Sequence, residues 1–260
     1  MPDIKPQVYK DPRPAEYFTP LHERARTHDP DWVYDLARVV LTPPALLFYR
    51  ARPISAEHVP ATGPVILAPN HFSQWDHFFA GIFIRRKVRF MAKSQLFSNP
   101  VIEFILRHGG AFPVRRGHHD EEAFKTAFTI LDRGGCVLIY PEGGRSRTGH
   151  LGEPRPGLGR AALETGVPVV PIAIHGSIGV RKWRKLRFPK VTIQYGEPIR
   201  FDVVPTPSRE QQLEVARGVF GRVREMYDAL DAQGRRGVIN SLRQGIGART
   251  EHKVPAGQAR

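Results

Sequence analysis

Val65-Ile66-Leu67-Ala68-Pro69-Asn70-His71-Phe72-Ser73-Gln74-Trp75-Asp76 passes from an unbroken apolar run straight into polar, chemistry-bearing residues. The first four residues read as a short strand buried on both faces. Pro69 forces the chain out of regular structure, so His71 falls at a strand-to-helix junction, a place where functional groups collect. On one continuous helix, five positions would set His71 and Asp76 about 140° apart. Their pairing therefore requires His71 to precede the helix that carries Asp76.

The same alternation extends in both directions. Apolar runs at 65–68, 88–91, 111–114, 136–140, 169–174 and 191–195 read as strands, with longer periodic segments between them. Residues 120–133 predict a helix with Ala123, Phe124, Ala127, Phe128 and Leu131 on one stripe, stopped by Gly134-Gly135. Ser208 and Gln211 have capping-box spacing ahead of a long stripe of Leu213, Ala216, Phe220, Val223, Tyr227 and Leu230. The expected fold class is α/β: a single domain with a mostly buried mixed or parallel sheet flanked by helices.

The 260 residues, 41% apolar and 25% charged, suit one large folded domain. A lone cysteine, Cys136, excludes an intramolecular disulfide and fits a reducing compartment. The formal charge of +14 implies an anionic partner without choosing among lipid, nucleic acid and phosphorylated substrate. Residues 1–30 read as a polar segment with no secretory signal. Residues 31–54 read as an amphipathic, membrane-interface helical segment or equally as a helix packed on the domain's own core, too short to span and split by Pro43-Pro44, with Trp32, Tyr34 and Tyr49 at its ends and Asp35 and Arg38 on its polar side. The catalytic domain is expected over 55–233, followed by a basic, flexible tail at 234–260.

Three further segments follow strands or enter them. Gly109-Gly110-Ala111-Phe112-Pro113-Val114-Arg115-Arg116-Gly117 presents two guanidinium groups, whose planar forks match phosphate oxygens. Tyr140-Pro141-Glu142-Gly143-Gly144-Arg145-Ser146-Arg147 places an acid and a cation beside glycines that permit close backbone approach. Gly166-Val167-Pro168-Val169-Val170-Pro171-Ile172 shapes a rigid wall. Each alone is compatible with a solvated turn or a strand end.

Together and in this order, the four segments resemble the four sequence blocks of the glycerolipid acyltransferase family, particularly the bacterial 1-acylglycerol-3-phosphate acyltransferases. The resemblance implies His71 as general base and Asp76 as its orienting partner. It implies acceptor binding by Arg115 or Arg116 with Gly117 beside them, by Glu142 and Gly143 for the glycerol part, and by Arg145 for phosphate. Gly144 stands where the family usually has threonine. No cofactor or metal is expected. The implied substrates are a lysophospholipid and an acyl thioester, acyl-CoA or acyl carrier protein, at an anionic membrane surface. The expected place is the cytoplasmic face of the cell membrane, peripheral or monotopic, with no nucleic acid partner. Arg181-Lys182-Trp183-Arg184-Lys185-Leu186-Arg187 would serve the thioester donor or anionic lipid.

Two other classes fit part of the sequence. A metal-dependent hydrolase would draw ligands from His71, Asp76, His77, His118, His119 and Asp120. A non-catalytic basic protein that binds membranes or nucleic acid would use the charge but leave His71 and Glu142 without a purpose. Gly157-Leu158-Gly159-Arg160-Ala161-Ala162 mimics a dinucleotide fingerprint but follows no hydrophobic strand.

Overall fold

The run at 65–68 becomes the middle strand of a seven-stranded sheet. A computed structural model describes residues 11–115, 120–146, 148–180 and 188–251. In chain order the strands are β1 (Arg52–Ile54), β2 (Val65–Pro69), β3 (Val88–Lys93), β4 (Ala111–Val114), β5 (Cys136–Leu138), β6 (Val169–His175) and β7 (Thr192–Tyr195). The order across the sheet is β1-β7-β6-β2-β5-β3-β4. Strands β6, β2, β5, β3 and β4 run parallel; β7 pairs antiparallel with β6 and carries β1 with it. The chain leaves β2 toward one side of the sheet, while β6 returns on the other. The carboxyl end of β2 is thus a topological switch point, where open α/β sheets bind ligands.

Seven α-helices cover the sheet: α1 (Thr19–Thr27), α2 (Trp32–Leu47), α3 (Asp76–Gly81), α4 (Pro100–His108), α5 (Glu121–Asp132), α6 (Pro156–Thr165) and α7 (Arg209–Glu251). Alternate residues of β2 point to opposite sides. Ile66 and Ala68 join Ala127, Leu131, Leu158, Ala162, Ala216 and Val219 under α5, α6 and α7. Val65 and Leu67 join Ala45, Phe79, Ala80 and Ile82 under α2 and α3. The expected capping box is present, with Ser208 Oγ accepting from Gln211 N (3.2 Å) and Gln211 Oε1 accepting from Ser208 N (2.8 Å).

Four expectations change. The segment before residue 31 is not merely polar: Phe18, Leu21 and Ala25, at spacings of three and four, enter the core through α1. The expected helical segment 31–54 is helical only to Leu47, and its end becomes edge strand β1. Helix α2 runs through Pro43-Pro44, which lie inside it near its end and remove the bonds to the carbonyls of Val39 and Val40. The expected tail does not begin at Gly234. That residue kinks α7 with φ of 66°, and the chain continues helical to Glu251. Val238 is buried against Ile54, Ala173 and Leu230, and Arg235 donates to Thr192 Oγ1 and to the carbonyls of Arg50 and Val191.

Candidate active site

Three parallel strands deliver their carboxyl ends side by side. Beyond the last pairing of β2 with β6, Asn70 continues the attachment through its side chain. Its Oδ1 accepts from Ile174 N (2.7 Å), and its Nδ2 donates to Ile174 O (3.2 Å). Both ends of this fully buried amide are satisfied, so the chain is pinned immediately before His71.

His71 precedes α3, and Asp76 is the first residue of that helix, as the pairing requires. Asp76 Oδ2 lies 3.0 Å from His71 Nδ1 and accepts from the main-chain N–H of Phe72 and of Ser73 at 2.6 Å each. A carboxylate only accepts, so Nδ1 carries the proton and the neutral ring keeps its lone pair on Nε2. One oxygen therefore both shapes the turn and fixes the tautomer. Asp76 Oδ1 is buried with no hydrogen-bond donor among the described residues. The His71 ring stacks on Tyr140 at the end of β5, with centroids 3.8 Å apart and planes 17° apart.

Glu142 is 71 positions further along the chain and holds the same turn from behind. Its Oε1 accepts from His71 N and its Oε2 from Gly152 N, both at 2.8 Å. Burial pushes its carboxyl above the ordinary range, while the Gly152 and His71 N–H groups draw it back. Ser146 N donates to His71 O (2.9 Å), so the loop carrying Gly143 and Arg145 is tied to the His71 turn by main chain. Gly143 adopts φ of 65°, and a Cβ there would meet Arg155 Cδ at 2.7 Å. Arg145 is half-buried in that loop.

Arg115 leaves β4, which lies three strands from β2, about 14 Å across the sheet. Its N–H donates to Asp120 Oδ2 (2.6 Å), its Nη2 donates to Arg13 O (3.3 Å), and its Nε is buried without a partner among the described residues. The described contacts do not bring it to His71. Arg116 and Gly117 lie outside the described residues, as do His118, His119 and the basic stretch 181–187. Of the remaining metal-ligand candidates, Asp120 caps α5 by accepting from Ala123 N, and His77 stacks on Phe90. Burial and the neighbouring His71 hold His77 down at about 4. Among the described residues, no three His, Cys, Asp or Glu side chains converge.

An apolar cavity of about 330 Å³ adjoins the site, between α2, α3, α4 and β3, lined in part by Trp75, His77, Phe78 and Phe90. Trp75 and Phe78 also border a second apolar cavity of about 270 Å³ under the end of α2. Asn70, Tyr140 and Gly152 were not singled out from the sequence. Asn70 carried a signal, a polar residue between a buried strand and His71, whereas the Gly152 contact had none.

The arrangement defines a buried histidine–carboxylate pair at the switch point of an α/β sheet, and the comparisons agree with it. The family model described as acyltransferase matches residues 52–175, just under half of the chain, which over that range is similar to the glycerolipid acyltransferases. It is 29% identical over 178 residues to the 1-acyl-sn-glycerol-3-phosphate acyltransferase of Bacillus subtilis, covering 67% of this chain and 87% of that one. It is 30% identical over 133 residues to the chloroplastic 1-acyl-sn-glycerol-3-phosphate acyltransferase BAT2 of Brassica napus, a match that spans 50% of this chain and only 38% of the plant protein. The crystal structure of the 1-acyl-sn-glycerophosphate acyltransferase PlsC from Thermotoga maritima shares the fold, with a TM-score of 0.57 at 22% identity over 84% of this chain and 90% of that one.

Proposed function

We propose that the chain transfers a fatty acyl group from a thioester, acyl-CoA or acyl carrier protein, to the free hydroxyl of 1-acylglycerol-3-phosphate, giving phosphatidic acid. The observation that carries this reading is the His71–Asp76 pair at 3.0 Å, set beside an apolar cavity. Nε2 of His71 takes the proton of the acceptor hydroxyl, and Asp76 steadies the imidazolium. The oxygen attacks the thioester carbonyl, and the proton passes to the departing thiolate. Glu142 acts through His71 by holding its main chain. Arg145 attracts the acceptor phosphate, a role to which the family resemblance adds Arg115, Arg116 and Gly117. The apolar cavity takes a hydrocarbon chain.

The membrane surface is part of this reading. No helix among the described residues is long and apolar enough to cross a membrane. Helices α2 and α4 nevertheless turn Trp32, Leu36, Val39, Val40, Val101 and Ile105 outward, with Val39 69% and Val101 66% exposed. Such faces, on a chain of net charge +14, suit peripheral docking on anionic lipid at the cytoplasmic face.

The test offers purified protein 1-acylglycerol-3-phosphate with acyl-CoA, and separately with acyl carrier protein, and identifies products by mass spectrometry. Phosphatidic acid is expected from the wild type. His71→Ala should lower turnover by about 10²- to 10⁴-fold, or roughly 3–5 kcal/mol of barrier, with vesicle binding kept. Absence of acylated lipid from every donor, or an active His71→Ala variant, overturns the proposal.

A further inference from the structure

At the end of the sheet away from His71, the chain enters β3 through Arg85-Arg86-Lys87, and Arg133 closes α5 just before β5. With Arg89, these cations line a cavity of about 500 Å³ that reaches Gly135 and Cys136. Cys136 starts β5 and Tyr140, the ring stacked on His71, follows four residues later. The two ends are thus separated by roughly 13 Å of extended chain.

The cavity holds more positive charge than its surroundings neutralise. Arg89 donates to the carbonyls of Ala25, His28 and Gly110. Arg86 donates to those of Pro60 and Gly134, and Lys87 to that of Pro30. These bonds satisfy N–H groups but cancel no charge. Asp29 is the one carboxylate among the lining residues, 3.6 Å from Arg89 and 4.0 Å from Arg133. Lys87 pairs outside the cavity with Asp35 at 2.7 Å. Two carboxylates therefore face five cations. Arg85 is exposed and makes no hydrogen bond or ion pair among the described residues, so its fork is available. Burial, with Arg133 and Arg24 nearby, lowers Arg89 to about 10, the signature of a cation held without a full counter-charge.

We propose that this cavity binds a phosphate-bearing anion, a phosphomonoester or pyrophosphate group, at a site separate from the His71 centre. Guanidinium forks engage phosphate oxygens in pairs, and a partly dry cavity strengthens each contact. A soluble phosphate compound and a lipid headgroup offer the same chemistry.

The experiment titrates inorganic pyrophosphate into the full chain by calorimetry. Arg85→Gln/Arg133→Gln should bind at least fivefold more weakly than wild type, and Arg85→Gln alone, which breaks no contact, at least twofold more weakly. Arg217→Gln, an exposed position on α7 away from the cavity, should bind as wild type does. In a second arm, the double variant is sedimented with phosphatidylcholine vesicles with and without phosphatidic acid. Loss of the phosphatidic-acid-dependent binding identifies a lipid headgroup; unchanged vesicle binding with lost pyrophosphate binding identifies a soluble ligand. Wild-type pyrophosphate affinity in both Arg85 variants, or its loss in Arg217→Gln, overturns the proposal.

Discussion

The two faces of the sheet are closed in opposite ways. On the face under α5, α6 and α7, small residues let helices approach until nothing more fits: a Cβ on Gly159 would lie 1.8 Å from Gln212 O of α7. On the face under α2, α3 and α4, two apolar cavities remain, and the covering helices expose apolar side chains to the outside. One face is filled; the other keeps cavities and an apolar outer surface, which the acyl transfer proposed above would use. The comparison explains why the resemblance of Gly157 to Ala162 to a nucleotide loop fails. Those glycines sit inside α6, where they serve helix contact.

The contrast can be broken most sharply with one methyl group on each face. Gly159→Ala must push α6 off α7, because the clash is with main chain. A loss of about 3 kcal/mol or more, roughly 6–12 °C in Tm, is expected. Gly81→Ala on the other face would meet only Tyr34 Oη at 3.4 Å and Val88 at 3.5 Å, and should change stability by no more than about 1 kcal/mol. Thermal melts of both variants decide the matter; equal losses would mean the two faces are packed alike.

A smaller effect concerns the outward side of the open face. Val39→Ser/Val101→Ser should reduce partition onto anionic vesicles by about tenfold and leave Tm unchanged, since neither side chain is in the core. If vesicle binding persisted, another surface would carry the docking.

The smallest expected effect is on pH dependence. His22, buried beside Thr126, and His77, on Phe90, are both held at about 4 by burial. Below about 6.5 the unfolded chain takes protons that the fold refuses, so stability is present above that pH and falls as pH drops toward 4. Each histidine contributes at most about 1.4 kcal/mol per pH unit in that window. Denaturation at pH 7, 6 and 5 should show a shallower slope for His22→Gln and for His77→Phe; an unchanged slope in both would remove these residues from the account.

Much of the site was legible because its parts follow strands. Buried strands announce themselves as short apolar runs, and whatever follows each run must emerge at the same edge of a parallel sheet. That logic placed His71, Glu142 and Arg145 together, and the requirement that His71 precede a helix starting near Asp76 matches the observed turn. Strand β1 escaped notice because three residues including Pro53 carry no periodicity. Helix α4 was missed although Asn99 accepts from Val101 N and Ile102 N and Pro100 opens its first turn, a capping signal that was readable. Residues 235–251 looked aperiodic, and Val238 has a place only because Ile54 and Ala173 stand opposite it.

The sequence alone determined the strand runs, the glycine and proline punctuation, and the residue types that do chemistry, since these rest on neighbours along the chain. Tertiary structure alone decided which partners they meet. Glu142 engages the main chain of His71 rather than standing alone in a turn, because β2 and β5 are adjacent. The orientation of α2 was decided in the same way. Its sequence is apolar on more than one side and does not say which faces in; the fold buries Val33 and Ala45 and sets Ala37 and Leu41 along the inner cavities. Tyr34 accepts from Val88 N, Arg38 donates to Ile82 O and Asp35 reaches Lys87, leaving Trp32, Leu36 and Val39 outward. The sequence marks these side chains as apolar, and only the fold shows that none of the described residues covers them.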